Sequence, residues 1–265
     1  MTETRLGRVG GSLFQRLVCG IDGSDESLEA VRQSDLLLTR EGSLVLVAVV
    51  DVASTVHFQV APTAIHAARH AADELEARDR TALAALQRAR AEVTSASSVA
   101  TLEPGGSPAQ CLLEAAATAS ATLVVVGTHG LGRATGILLG SVTTRVVHRA
   151  SCSVIVARGR AGASWSPRTI VVGMDGSPAA EAALAACREL ESRFDSEVRV
   201  VTSEGHRPAH ELVEASAGAD LIAVGARAKP PWDGLGSVSE RVAHHAGCSV
   251  LIVRAAAQST ESGLV

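Results

Sequence analysis

The sequence predicts an α/β protein made of two doubly wound parallel-sheet domains, the second of them shortened. Two observations predict this fold class. Short apolar runs such as "SLVLVAVV" and "TLVVVG" alternate with helical patterns, which is typical of parallel strands covered on both faces. Much of the first half of the chain also recurs in the second half, which indicates that one unit is present twice.

The first copy shows five strands and four helices in alternation. The strands are predicted near residues 16–22, 43–50, 98–103, 122–127 and 152–157. The helices are predicted near residues 25–40, 67–94, 108–119 and 141–149. Ser24 in this copy and Ser177 in the second follow an Asp-Gly pair at a helix start, where a serine is foremost an N-cap.

The second copy matches the first with one large deletion. "VCGIDGSDESLEAV" matches "VVGMDGSPAAEAAL", and "CSVIVAR" matches "CSVLIVR". The offset between the copies falls from 153 residues at Asp-Gly-Ser to 98 at the later glycines, so 55 residues between Val49 and Gly105 have no counterpart. We expect strands near 169–175, 197–202, 220–225 and 249–253, without a third strand or the long second helix. The domains are therefore 1–160 and 169–256, joined by a linker at 161–168.

Composition narrows the class of protein. The chain is 46% hydrophobic and carries a net charge of −4, which argues against global disorder and against a basic surface for nucleic acid. No apolar run is long enough for a secretory signal or a membrane span, so we expect a cytoplasmic protein without membrane contacts. The five cysteines form no C-x-x-C pair and are expected to pack as small hydrophobes.

A glycine-rich loop follows the fourth predicted strand in "VVVGTHGLGRATGILLGSVTT". In a doubly wound sheet, ligands bind beyond the carboxyl ends of the strands where the strand order reverses. Asp22 ends the first strand and Gly127 ends the fourth, and these strands are expected to be neighbours at that point. Gly127 and Gly130 are expected to adopt positive φ and to let the backbone approach a ligand.

The helix start after this loop predicts an anion site. Gly140 precedes the helix, and Ser141 and Thr143 can offer hydroxyls beside the free N–H groups of the first turn. Arg133 adds a charge-assisted contact to phosphate. His129 lies in the loop and fits either a contact with phosphate or ribose or an exposed position. Because phosphate would repel a carboxylate, Asp22 is expected to face the ribose or base, or to share a cation.

Other common phosphate-binding and metal-binding motifs are absent from the sequence. The only lysine, Lys229, follows no G-x-x-x-x-G pattern, so a Walker loop is excluded. The turn "GIDGSDES" lacks the G-x-G-x-x-G of a dinucleotide fold. The histidine pairs His66/His70 and His206/His210 have no accompanying ligands at metal spacing and are expected on solvated helix faces.

The spacing Gly127-x2-Gly130-x9-Gly140-Ser141, with "GIDGS" before it and "CSVIVAR" after it, resembles the universal stress protein family. The resemblance is to tandem two-domain members and covers about residues 14–158 and, shortened, 167–254. It implies a Rossmann-like, adenine nucleotide alpha hydrolase-like fold, a regulatory role in stress response and ATP binding, with Mg²⁺ as an option and AMP or cyclic AMP as alternative ligands. The residues it implies are Asp22, Val49, Gly127, Gly130, Gly140, Ser141, Val142 and Thr143.

Pairing of the last strands of the two copies is also expected, because an open apolar edge invites aggregation. Such pairing makes the chain a pseudo-dimer, and family members usually dimerise through this strand, so a homodimer and an unknown protein partner stay open.

The second copy is not expected to bind ATP in the same way. Ala228 replaces Gly130, and Pro230 and Pro231 remove amide donors. The loop is two residues shorter, so Gly236 and Ser237 are expected to reach the position of Gly140 and Ser141 only if the loop takes a different path.

Two alternatives to a regulatory ATP-binding protein remain. The first is a slow ATPase or nucleotidyl-transfer enzyme of the same fold. The sequence argues against it because no general base is visible beside the loop. The second is an interaction module with an empty site. Release of phosphate from ATP distinguishes the enzyme, and nucleotide extracted from purified protein distinguishes the empty module.

Overall fold

The computed structural model describes residues 12–50, 64–95, 98–102, 105–130, 139–159, 164–202, 207–226 and 236–254. The first copy contains β1 (Arg16–Ile21), α1 (Asp25–Leu37), β2 (Ser43–Ala48), α2 (Ala64–Glu92), β3 (Ser98–Leu102), α3 (Pro108–Thr118), β4 (Leu123–Gly127), α4 (Ser141–Arg149) and β5 (Ser153–Ala157). The second contains β6 (Thr169–Met174), α5 (Pro178–Phe194), β7 (Glu197–Thr202), α6 (Pro208–Ala215), β8 (Leu221–Ala226), α7 (Ser237–His245) and β9 (Ser249–Arg254). Every predicted element is present, and in the described residues the second copy lacks counterparts of α2 and β3, which confirms the predicted deletion.

The strands form one sheet of nine, in the order β3-β2-β1-β4-β5-β9-β8-β6-β7. Pairing is parallel within each copy. The copies meet where β5 and β9 pair antiparallel, with Val154 opposite Ile252 and Val156 opposite Val250. All four side chains are buried. The predicted pairing of the last strands is therefore confirmed, and each apolar edge is covered by the other copy.

Helices cover both faces of the sheet, which produces two apolar layers. On one face α1, α2 and α5 pack against side chains such as Leu44, Leu123 and Leu251. On the other face α3, α4, α6 and α7 pack against side chains such as Val124 and Ile222. Both faces of the central strands are thus buried, which explains why these strands are near-continuous apolar runs.

The predicted serine caps are present in both copies. The Ser24 hydroxyl accepts from the N–H of Ser27 at 3.1 Å and begins α1. The Ser177 hydroxyl accepts from the N–H of Ala180 at 3.2 Å and begins α5. These caps satisfy helix N–H groups that would otherwise lack a partner.

Two arginines after the last strands join the copies reciprocally. Arg158 follows β5 and donates from Nη2 to the carbonyl oxygen of Ala243 at 2.6 Å and from Nη1 to that of Cys248 at 3.2 Å. Arg254 ends β9 and donates from Nη2 to the carbonyl oxygen of Val147 at 2.6 Å. Each guanidinium therefore meets the last turn of the other copy's final helix, where the helix dipole favours a cation. Burial lowers the pKa of Arg158 to about 10, so it remains charged at neutral pH.

The cysteines are all free thiols, as expected. Cys19, Cys111, Cys187 and Cys248 are buried, and Cys152 is half-buried. Burial raises the pKa of the Cys19 and Cys187 thiols to about 12, which suppresses the reactive thiolate. In the described part of the chain, no helix combines the length and apolarity needed to cross a bilayer.

Candidate functional site

The strand order reverses between β1 and β4, as the sequence predicts. From this point the chain adds β2 and β3 on one side and β5 on the other. β1 and β4 are parallel neighbours with Cys19 opposite Val125. Asp22 and Thr128 therefore leave the sheet at the same level. The carboxyl ends of two such strands are where doubly wound sheets bind ligands.

Asp22 is held by one carboxylate oxygen and turns the other toward the glycine loop. Its Oδ1 accepts from the N–H of Ser24 at 3.0 Å and from the Ser24 hydroxyl at 2.6 Å. Gly23 makes this turn possible with φ +84. Its Oδ2 lies directly against Gly130, where a Cβ would overlap it. No donor in the described residues reaches Oδ2, so this oxygen can accept from a ligand hydroxyl.

Glycine is needed in this loop because neighbouring atoms leave no room for a Cβ, and not because the backbone adopts a positive φ. None of Gly127, Gly130 and Gly140 has a positive φ, so the expectation of positive φ at Gly127 and Gly130 is wrong. A Cβ on Gly127 would lie 2.9 Å from the carbonyl carbon and oxygen of Glu26 in α1. At Gly130 the obstacle is the Asp22 carboxylate. These glycines let a helix and a carboxylate approach the end of β4.

The start of α4 is tied to the end of β4 by two hydrogen bonds. The N–H of Gly140 donates to the carbonyl oxygen of Thr128 at 2.8 Å. The hydroxyl of Thr143, which is buried, donates to the carbonyl oxygen of Gly127 at 2.7 Å. The Thr143 hydroxyl proton therefore holds the helix in place, and the other hydroxyl that the sequence predicted for a ligand is that of Ser141. Thr143 still contributes its backbone N–H to the first turn.

The first turn of α4 leaves backbone donors for a ligand. Gly140 is the N-cap and has no side chain to cap the helix. The first intrahelical bond runs from the N–H of Thr144 to the carbonyl of Gly140 at 2.9 Å, so the N–H groups of Ser141, Val142 and Thr143 precede the helical ladder. Ser141 is exposed and Val142 is half-buried. Three amides, one hydroxyl and the positive end of the helix dipole make this turn suitable for an anion.

The remaining predicted residues are placed as follows. Val49 is half-buried and follows Ala48, which pairs with Ile21, so Val49 lies at the end of the strand next to Asp22. His129 is half-buried, and its Nε2 is buried without a hydrogen-bond partner among the described residues. Arg133 lies in the segment 131–138, outside the described residues.

Sequence reasoning missed two backbone groups that shape the site. The carbonyl of Thr128 closes the base of the loop by accepting from Gly140. The backbone of Glu26 is the surface against which Gly127 packs. Both groups act through the main chain, so the identity of the residue does not predict their role. The sequence indicates them only through the glycines that pack against them, Gly140 and Gly127.

The second copy has a cavity at the ends of the matching strands. A cavity of about 430 Å³ lies between the ends of β6 and β8, and its lining includes Met174, Asp175, Ser177, Gly225 and Ser237. The Asp175 Oδ1 accepts from the N–H of Ser177 at 3.0 Å, which repeats the turn at Asp22.

The helix start of the second copy is also preserved. The hydroxyl of Ser239 donates to the carbonyl of Gly225 at 2.9 Å, as Thr143 does to Gly127. This bond ties the first turn of α7 to the end of β8, as the matching bond does in the first copy. The shorter loop, residues 227–235, lies outside the described residues, so the expectation about its path stays a prediction. One difference remains: no described atom lies within 4 Å of a Cβ on Gly236, whereas Gly140 packs against Thr128. Ala228, Pro230 and Pro231 lie outside the described residues.

Comparison with known proteins assigns the family. The model of the universal stress protein family matches residues 13–158 and 202–254. The chain belongs to the universal stress protein family. The second match begins only at the end of β7, but the structure shows that β6 and α5 repeat β1 and α1, so the chain spans two universal stress protein domains.

Individual relatives are also universal stress proteins. A universal stress protein of Mycolicibacterium smegmatis is 30% identical over 90% of this chain and 96% of its own length. One of Mycobacterium tuberculosis is 31% identical over 51% of this chain and 62% of its own length. The crystal structure of a universal stress protein from Archaeoglobus fulgidus superposes with a TM-score of 0.67 at 18% identity, covering 90% of this chain and 98% of that chain. At 18% identity, the similarity to this structure shows the fold alone.

Proposed function

We propose that this universal stress protein binds an adenine nucleotide, ATP in the first instance, in the crevice of its first copy, and that it acts as a regulatory binding protein. One observation carries the proposal. Asp22, whose Oδ2 has no hydrogen-bond donor among the described residues, the close-packed Gly130 and the first turn of α4, which has no side-chain cap, all lie near the point where the strand order reverses. A hydroxyl-accepting carboxylate beside an anion-binding turn suits a ligand with a ribose and phosphates.

The chemistry of the site orients the ligand. The phosphates lie at the N–H groups of Ser141, Val142 and Thr143, where the helix dipole and the amides stabilise negative charge. The ribose hydroxyls donate to Asp22, which keeps this carboxylate away from the phosphates. Val49 supplies the apolar contact for the base. Mg²⁺, where it accompanies ATP, belongs to the ligand.

His129 gives the site a further polar contact. Its Nε2 is buried and unpartnered in the described residues, and a buried polar atom without a partner costs about 1–3 kcal/mol. A ribose hydroxyl or a phosphate oxygen would supply the missing hydrogen bond. Replacement of His129 by phenylalanine removes this contact while retaining a ring, and we expect the affinity for nucleotide to fall.

The proposal is tested by titrating the purified protein with ATP, AMP and cyclic AMP in a calorimeter, after extraction of any nucleotide that copurifies. We expect a Kd for ATP near about 1 μM, equivalent to about −8 kcal/mol. The variant Gly130→Ala forces the Asp22 carboxylate to move, and a hydrogen bond to a charged group is worth about 1.5–3 kcal/mol, so the affinity should fall at least about tenfold.

A matched control uses the same substitution in the second copy. A Cβ on Gly236 meets no described atom within 4 Å, so Gly236→Ala should leave ATP binding unchanged. Equal affinity in the wild type and in Gly130→Ala, with both folded by circular dichroism, would contradict the assignment. The absence of any heat with all three nucleotides would favour the interaction module with an empty site. Steady phosphate release from ATP in the same sample would favour the slow ATPase.

A further inference from the structure

β7 ends the nine-stranded sheet and lacks the two elements that cover its counterpart, β2, in the first copy. β2 is flanked by β3 and packs against α2, whose Ala85, Leu86 and Ala89 are buried. The 55-residue difference between the copies removes the counterparts of both elements. In the described residues, β7 pairs with β6 alone.

The consequence of this deletion is visible at one matched position. Val200 pairs with Val172 in the second copy, as Leu46 pairs with Cys19 in the first. Leu46 is fully buried, whereas Val200 is 47% exposed. An unpaired edge strand with exposed apolar side chains is a template on which another chain can pair.

Among the described residues, no strand pairs with the backbone of β7 on this edge. The N–H of Glu197 donates to the carbonyl of Arg168 at 2.7 Å, on the side of β6. Because successive residues of a strand direct their N–H and C=O groups to opposite edges, Arg199 also faces β6, and Val198, Val200 and Thr202 face the open edge.

The charges of β7 favour one pairing register with a second copy of the same strand. Glu197 and Arg199 share one face, are exposed, and pair with each other at 2.8 Å. In an antiparallel pair centred on Val198, Glu197 of each chain lies opposite Arg199 of the other. The Val198 pair is then the hydrogen-bonded pair, and the charged residues form the flanking non-hydrogen-bonded pairs, where side chains come closest.

Neighbouring registers are disfavoured by the same charges. A two-fold axis moved by one residue in either direction places Arg199 opposite Arg199, or Glu197 opposite Glu197, and like charges directly opposite are destabilising. A larger shift loses both ion pairs. The pattern of the strand is thus self-complementary in one register, which is what an isologous two-fold interface requires.

We propose that this protein forms a homodimer in which the β7 strands of two chains pair antiparallel about Val198. Two nine-stranded sheets then become one continuous sheet. Val198 then lies opposite Val198 of the second chain, and Val200 lies opposite Ser196 of the second chain, on the face that α2 covers in the first copy. The interface is separate from the β5–β9 pairing, which is already occupied within the chain.

Sedimentation equilibrium of the full chain tests the proposal across micromolar to millimolar concentrations. The wild type should show a monomer–dimer equilibrium. Each single charge reversal, Glu197→Arg or Arg199→Glu, creates two like-charge pairs across the two-fold axis, and the dimer Kd should rise at least about tenfold. An equimolar mixture of the two single variants should form a heterodimer with an affinity near that of the wild type, and the double reversal should restore the homodimer.

Two further variants keep the test independent of folding. Arg188→Glu reverses one exposed charge on α5, where Arg188 pairs with Glu191 at 2.7 Å, and should leave the dimer unchanged. Val200→Lys should abolish the dimer because it places a charge on the face where the Val198 side chains meet. A wild type that stays monomeric at millimolar concentration would overturn the proposal, as would a dimer whose Kd is the same in Arg199→Glu, or a mixture of single variants that fails to associate.

Discussion

Replacing Arg158 by methionine should weaken the junction between the two copies more than any change at an exposed arginine. Methionine keeps the length of the apolar side chain and removes the guanidinium. Two hydrogen bonds are lost, to the carbonyls of Ala243 at 2.6 Å and Cys248 at 3.2 Å. Hydrogen bonds to a charged group contribute about 1.5–3 kcal/mol each. Since removing a buried charge also relieves its desolvation, we expect the lower end, about 3 kcal/mol of unfolding free energy.

Arg254 provides the internal comparison. It donates one hydrogen bond at 2.6 Å to the carbonyl of Val147 in the pseudo-symmetric position. Arg254→Met should therefore cost about half as much, about 1.5 kcal/mol. Arg188→Met, which breaks only an exposed pair with Glu191 on α5, should cost less than about 1 kcal/mol.

Urea unfolding followed by two probes measures these differences. Circular dichroism reports the helices of both copies. Tryptophan fluorescence reports the second copy, because Trp165 donates to the carbonyl of Asp220 at 3.1 Å and the other tryptophan, Trp232, also belongs to that copy. The two transitions should coincide in the wild type and separate in Arg158→Met, because the copies lose their reciprocal contact. A loss in Arg158→Met no greater than in Arg188→Met, or a loss smaller than in Arg254→Met, would refute this reasoning.

Three further outcomes follow from the structure. Titration with ATP should saturate at one nucleotide per chain, although the crevice of the second copy remains open; two per chain would show that its cavity is a full site. Burial raises the pKa of Asp35, but hydrogen bonds from Thr94 and Ser95 outweigh this effect and lower the pKa from its ordinary value. The ionised carboxylate therefore stabilises the fold at pH values above its ordinary pKa. This contribution to the unfolding free energy is lost as the pH falls through the lower pKa of the folded state. The unfolding free energy of Asp35→Asn should therefore decline less in acid than that of the wild type, by less than about 1 kcal/mol because the carboxyl is largely exposed. A thiol reagent should label native Cys152 before the other cysteines, and all five should react equally in urea.

The sequence alone determined the order of the elements and the position of the crevice. Near-continuous apolar runs, such as that of β4, are distinct from helical patterns and so predict strands. The repetition of the same order in the second copy supports this prediction. Asp22 and Gly127 could be placed together because the carboxyl ends of parallel strands share one edge of the sheet. Even the deletion in the second copy was visible, since it changes the offset between matching motifs.

Only the tertiary structure decided what each residue does at these positions. Gly130 is a glycine because the Asp22 carboxylate occupies the place where a side chain would lie. The hydroxyl of Thr143 donates to the carbonyl of Gly127. Arg158 and Arg254 cross to the other copy, and Val200 is uncovered because a helix is missing. Each of these facts depends on atoms that are distant along the chain. Local periodicity reports which face of an element is buried, but it carries no information on which distant group will fill the space beside it.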